Sequence, residues 1–218
     1  MNFNFNSEPI VNQDGVAIAT EMNLNLIMEQ DANQQQLHEF NTGRTLNQLL
    51  GIVKKLAIDS DRSIFNEKHK LIFVNIERAS LCDVHGLNQI RELSILLHHL
   101  GGNLVVGLTN ANPCKRCSRV LQGLLFLKEH DILISANNFN YRYPDFRDSE
   151  LKSYLYDFVK LSMPKNKGEM DMIFNFIDSE LVSNGLKVIV EQVETMHEFK
   201  SIDNRLIYGY QGSFVNSK

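Results

Sequence analysis

The chain lacks several features that would assign it to a compartment or class. No run approaches the roughly 20 apolar residues needed to cross a bilayer. The opening Met1-Asn2-Phe3-Asn4-Phe5-Asn6 has neither the basic start nor the apolar core of a signal peptide. Cytoplasmic location and no membrane association are the expectation. There are only three cysteines, an odd number that suits a reducing compartment better than a disulfide framework. Cys114 and Cys117 form Cys-Lys-Arg-Cys, but no second Cys-x-x-Cys or His-x3-His supplies the other ligands of a zinc site. They read as incidental thiols. A basic excess is also missing: the net charge of −4 argues against direct nucleic-acid binding. No repeat or low-complexity linker divides the 218 residues, which are expected to form a single domain over 1–218. The 43% hydrophobic and 22% charged content is that of a soluble globular protein.

What is present is an alternation of strand-like and helix-like segments. Candidate strands are Pro9–Val11, Val16–Leu24, Leu71–Ile76, Asn103–Leu108, Ile132–Ala136, Phe158–Leu161, Lys187–Val193 and Leu206–Tyr208. Between them, apolar residues recur at helical spacing: Leu46, Leu49, Leu50, Val53 and Leu56; Leu87, Ile90, Leu93, Leu97 and Leu100; Ile173, Phe174, Ile177 and Leu181. A further helix is expected over Cys114 to Glu129, and Asn184-Gly185 reads as a helix stop. Repeated β–α alternation implies a mostly parallel sheet with helices outside it, and about eight strands suggest a closed barrel. The first pair, joined at Asn12-Gln13-Asp14-Gly15, reads instead as an antiparallel hairpin.

Val188–Val190 runs directly into Glu191, a carboxylate just past a buried strand, where α/β folds place ligand sites. The segment Val190-Glu191-Gln192-Val193-Glu194-Thr195 resembles the Ala-Glu-Gly-Val-Glu-Thr of the EAL domain, the phosphodiesterase of cyclic di-GMP. Other strand ends resemble the same family in order. Glu8-Pro9-Ile10-Val11 is similar to Gln-Pro-Ile-Val, and Glu21-Met22-Asn23-Leu24-Asn25 stands at Glu-Ala-Leu-x-Arg. Asn75-Ile76-Glu77 stands at Asn-Leu-Ser, Val159-Lys160-Leu161-Ser162 at Leu-Lys-Ile-Asp, and Tyr210-Gln211-Gly212-Ser213 at Gln-Gly-Tyr. The resemblance covers about residues 7–214. It implies an EAL-type modified (β/α)8 barrel with an antiparallel first strand, and Glu21, Asn75, Lys160, Glu191 and Gln211 as retained site positions.

In the family, two metal ions hold the phosphodiester and activate water, which requires several carboxylates at once. Here the resemblance puts Gly107-Leu108-Thr109-Asn110 at Glu-Ile-Thr-Glu, and Asn137-Asn138-Phe139-Asn140 at Asp-Asp-Phe-Gly. Ser162 replaces an aspartate. Acids are thus lost at Gly107, Asn110, Asn137, Asn138 and Ser162. At about 3 kcal/mol per missing ligand at Gly107, Asn137 and Asn138, the rate loss exceeds a millionfold, although such effects do not strictly add. The expectation is a non-enzyme without a metal site, magnesium or manganese entering only with residual activity. Asn25 replaces the family's dinucleotide-contacting arginine, so cyclic di-GMP binding is expected to be compromised.

The implied function is a regulator acting through protein–protein contact, as degenerate members that sequester a transcription factor do, with motility or biofilm genes as the output. A cyclic di-GMP-binding sensor and a weak phosphodiesterase remain the alternatives. Candidate contact surfaces are the aromatic and basic loop Tyr141–Arg147 and the outer helices. His98 and His99 diverge around their helix, while His69 and His130 precede strands at the end away from the expected site. The chain stops at Lys218, seven residues past Gln211, where the family continues into a further helix; an exposed closing edge is expected there. Oligomeric state is left open.

Overall fold

In the computed structural model the described residues are 2–27, 50, 51, 54, 71–109, 117–143, 146–202 and 206–216. Their strands close into a barrel: β1 (Asn2–Val11), β2 (Ala17–Ile27), β3 (Leu71–Glu77), β4 (Asn103–Thr109), β5 (Leu133–Ala136), β6 (Phe158–Ser162), β7 (Lys187–Glu191) and β8 (Ile207–Tyr210). The expected hairpin is there, β1 running antiparallel to β2, and every pair from β2 to β8 is parallel. The seam between β8 and β1 is antiparallel, with the single register pair Val11 with Tyr210.

The helices among the described residues are α1 (Val84–His99), α2 (Ser118–Glu129), α3 (Arg147–Lys152), α4 (Lys167–Phe176), α5 (Met196–Ser201) and α6 (Ser213–Asn216). Local chemistry fixes their ends. Asp83 caps α1 by accepting from the backbone N–H of His85, and Asn166 caps α4 by accepting from that of Glu169. Thr195 and Glu198 form a reciprocal capping box on α5. The helical run after α4 widens into a π turn over Ile177–Leu181, tightens to a 3₁₀ turn over Val182–Asn184 and stops at Gly185, whose φ of 70° lies in the left-handed region.

Strand periodicity sorts the barrel into two cores. Outward residues such as Ile72, Val74, Leu104, Val106, Val159, Leu161, Val188 and Val190 pack with the apolar faces of the helices. Inward residues Ile10, Ala19, Leu71, Phe73, Val105, Phe158 and Ile189 fill the barrel axis. Phe158 packs edge-on against both Phe73 and Tyr208. Two residues further along β2, β3, β4, β6 and β7, the inward positions are Glu21, Asn75, Gly107, Lys160 and Glu191. An apolar plug is therefore capped by a polar layer at the C-terminal end of the parallel strands.

Several expectations are corrected. The first strand begins at Asn2, well before Pro9. The Tyr141–Arg147 segment is not an open aromatic and basic surface. Tyr141 and Arg147 are buried, and Phe139 stacks on Phe176. Arg142 pairs with Glu169 on α4, while Tyr143 alone of the described aromatic residues in this segment is fully outside. Phe146 is half-buried beneath the guanidinium of Arg78. The closing edge is covered: α6 follows β8, and its Phe214 packs on Phe199 and the core. The helix expected around Leu46–Leu56, apart from residues 50, 51 and 54, lies outside the described residues, as do Asn110, Cys114 and His69.

Candidate functional site

The C-terminal ends of the strands bring Glu21, Asn75, Lys160 and Gln211 into one hydrogen-bonded cluster. Register explains the grouping: Asn75 lies beside Gly107, Gly107 beside Ser135, and Ser162 beside Glu191. Lys160, 1% exposed, extends over the Phe73 ring with Nζ 5.2 Å from its centre. Its ammonium donates to Glu21 Oε1 and, at 2.8 Å, to Gln211 Oε1. Gln211 in turn donates through Nε2 to Glu21 Oε2 and, at 3.0 Å, to Glu8 Oε2. Asn75 Nδ2 reaches both Glu21 Oε1 at 3.0 Å and Asn23 Oδ1 at 2.9 Å. Asn23 Nδ2 adds a contact of 3.4 Å to Glu21 Oε2.

Glu21 thus accepts from Lys160, Asn75, Asn23 and Gln211, about the number of lone-pair sites a carboxylate has. Burial alone would push its carboxyl up, but the Lys160 charge and the donated hydrogen bonds outweigh it and hold the group below the usual carboxylate range. Glu191 is the opposite case. Its Oε1 is buried without a hydrogen-bond partner. Burial raises its carboxyl above the ordinary value; Lys160 partly offsets this, and Glu21 and Glu8 add to it.

The amides of Asn137 and Asn138 are unequal. Asn137 is buried and joins the cluster, donating from Nδ2 to Asn75 Oδ1 at 2.7 Å and accepting from Ser135 Oγ at 2.8 Å. Asn138 is exposed with φ of 50°, and its backbone carbonyl accepts from Arg147. Arg147 donates to the carbonyls of Asn137 at 2.8 Å and Asn138 at 3.2 Å, and lies over the Phe139 ring. Sequence reading does not single out Ser135, and takes Arg147 only as the end of the Tyr141–Arg147 surface segment rather than as a support for this cluster. The period-two alternation two residues after Leu133 signals Ser135, whereas nothing local marks Arg147.

A two-metal centre does not fit this donor set. Divalent magnesium or manganese takes oxygens, and carboxylates must balance its charge. The oxygens of Glu21 are committed to four donors, one of them cationic. A Cβ at residue 107 would lie 2.5 Å from Asn137 Nδ2 and closer still to Asn75 Oδ1, so an acidic side chain there would have to displace both amides. Ser162 lies half-buried at the end of β6. The side chain of Asn25 lies outside the described ones.

The remaining candidates lie elsewhere. His98, His99 and His130 line a cavity of about 330 Å³ with Asn103 and Asp131, at the opposite end of the strands. Cys117 is half-buried at the start of α2. On the outer helices, Val84, Leu121 and Leu125 are exposed, and Val84 lines a groove of about 400 Å³ with Leu81, Leu87 and Phe126. Among the described residues, no helix is long and apolar enough to cross a membrane.

No family model matches the chain, and no curated protein matches it. Solved structures do. The Xanthomonas citri FimX EAL domain in complex with cyclic di-GMP superposes with a TM-score of 0.71 at 15% identity, covering 96% of this chain and 85% of that one. The PaMucR phosphodiesterase–cyclic di-GMP complex gives 0.71 at 18% identity, covering 97% and 94%. The cGMP-bound EAL enzyme Bd1971 gives 0.70 at 14% identity, with 96% of this chain covered but only 60% of that protein's length. With its closed eight-stranded barrel and antiparallel β1, the chain has the fold of the EAL domains, a modified (β/α)8 barrel.

Proposed function

We propose that this protein is a non-catalytic EAL-fold regulator that works by binding another protein, with a transcriptional regulator as the class of partner. One observation carries the non-catalytic half: Glu21 is saturated by hydrogen bonds inside an amide-rich layer, which leaves Glu191 with an unbonded oxygen where a two-metal centre needs several free carboxylates. Exposed Val84, Leu121 and Leu125 on the outer helices support output through the barrel's own surface. Incubation with cyclic di-GMP and magnesium or manganese is expected to give no hydrolysis above background. Turnover that disappears in Glu21→Ala would overturn that half. Affinity purification from the native host is expected to recover a protein partner in stoichiometric amount, and its failure to do so would count against the other half.

Binding of cyclic di-GMP without cleavage is the second reading. The FimX domain and PaMucR are both described as cyclic di-GMP complexes, and Glu21, Asn75 and Lys160 stand here at strand ends that the sequence resemblance assigns to the site. Against it, Glu8, Glu21 and Glu191 cluster together with Lys160, whose ammonium is already paired with Glu21, an unfavourable setting for a dianion. Titration calorimetry decides: micromolar binding abolished by Glu191→Ala would favour the sensor over the purely protein-directed reading.

A further inference from the structure

We infer that Gly107 and the Asn75–Asn137 amide pair form a seal that makes the barrel mouth refractory to divalent cations, with Gly107 as its determinant. This deepens the non-catalytic reading, resting on it only for treating these strand ends as the former catalytic face. The geometry begins with strand spacing. Asn75 is on β3 and Asn137 just past β5, with β4 between them. Neighbouring strands lie about 4.8 Å apart, so strands two places apart are separated by about 9.6 Å. Two short side chains meet across that gap only if the strand between them presents nothing.

Gly107 supplies that gap. It sits beside Asn75 and beside Ser135 in the parallel register, and the 2.7 Å amide bond passes over it. Any Cβ there would strike both amides, so the hydrogen bond and a side chain at 107 exclude each other. The seal is also oriented. Asn137 Oδ1 accepts from Ser135, and its Nδ2 is aimed at Asn75 Oδ1. Asn75 Nδ2 is then turned toward Glu21 and Asn23. The amide hydrogens point at the oxygens a cation would need, and Lys160 supplies the positive charge that Glu21 balances. The space of a side chain at 107 has therefore been built over, and restoring an acid at 138 alone does not reopen the mouth while the amide bond across Gly107 holds.

Two measurements on the full chain test this. The first is manganese titration calorimetry with the thermal midpoint recorded with and without manganese, on the wild type and on Asn138→Asp, which restores an acid while leaving the amide bond in place. Neither protein is expected to show saturable binding or a cation-dependent rise in midpoint. Micromolar binding by either one overturns the seal. Manganese binding by the wild type without hydrolysis of cyclic di-GMP overturns it while leaving the non-catalytic reading intact. The second is a double-mutant cycle with Gly107→Ala, Asn137→Ala and the pair. Gly107→Ala is expected to lower the midpoint by roughly 3–10 °C in the wild type, the scale of a broken buried hydrogen bond in a protein of this size. In the Asn137→Ala background the drop should be less than about half as large, because one of the clashing amides is gone. Equal drops in both backgrounds would show that Gly107 does not serve the amide pair.

Discussion

Glu191 and Gln192 carry opposite kinds of tension at the end of one strand. The Glu191 carboxyl is raised by burial, so the folded state holds its proton more tightly than the unfolded state. Its contribution to stability is fully present below the unfolded carboxyl pKa and is lost as pH rises through the raised folded value. At neutral pH the ionised form is therefore a burden that Glu191→Gln removes. The variant is expected to be more stable at pH 7–8 by about 1 kcal/mol, the scale of a buried unsatisfied group, with the difference shrinking toward pH 4. Thermal midpoints of both proteins across that range test it, and a gap that widens on acidification would contradict the assignment. Gln192 holds φ of 64°, a region that costs a side-chain-bearing residue about 1–2 kcal/mol. Gln192→Gly is expected to stabilise by about 0.5–1 kcal/mol after its larger unfolded-state entropy is counted. Chemical denaturation measures it. The Val188–Glu191 run marked this strand end in the sequence. Glutamine itself gives no sign of the positive φ at 192; the sign is the glycine that stands at this position in the Ala-Glu-Gly-Val-Glu-Thr pattern.

At the scale of elements, α3 is pinned by charges that sequence patterning does not reveal. Arg78, 2% exposed in the 3₁₀ turn after β3, donates to Glu150 on α3 and, at 2.8 Å, to Tyr156 Oη. Tyr156 Oη in turn donates to Glu150 Oε2 at 2.9 Å, and burial followed by the Glu150 charge pushes the Tyr156 hydroxyl well above its ordinary range. From the same helix Arg147 holds the carbonyls of Asn137 and Asn138. A helix of six residues, Arg-Asp-Ser-Glu-Leu-Lys, shows too little apolar periodicity to be read in advance, and buried arginines look like surface ones in a sequence. The longer helices were legible because Leu87, Ile90, Leu93 and Leu97 all face the core. Glu150→Ala would leave the Arg78 guanidinium buried and unpaired, at an expected cost of about 3–5 kcal/mol. Arg78→Met/Glu150→Met is expected to cost less than Glu150→Ala alone. Denaturant unfolding of the two variants decides, and equal losses would mean that the pair contributes only packing.

Over the whole molecule, barrel closure is concentrated on one residue. The β8–β1 seam has one register pair, while β1 and β2 share a ladder from Asn2–Ile27 to Val11–Ala17. Gln211, just past β8, compensates by joining three other strands through its side chain: Glu8 on β1, Glu21 on β2 and Lys160 on β6. Those partners are as many as 203 residues away, which is why the sequence indicates the strand ends but not the bonds between them. Gln211→Ala removes these bonds and leaves Lys160 and Glu21 with unfilled hydrogen-bonding capacity in a buried site. The expected loss is about 2–4 kcal/mol, from several buried hydrogen bonds including ones to charged groups. Because the seam has little backbone pairing of its own, the loss should be local before it is global. Amide hydrogen exchange is expected to accelerate in β8 and the β1 residues near Val11 more than in β4 and β6. Uniform acceleration across all strands would show instead that the seam opens only with the barrel as a whole.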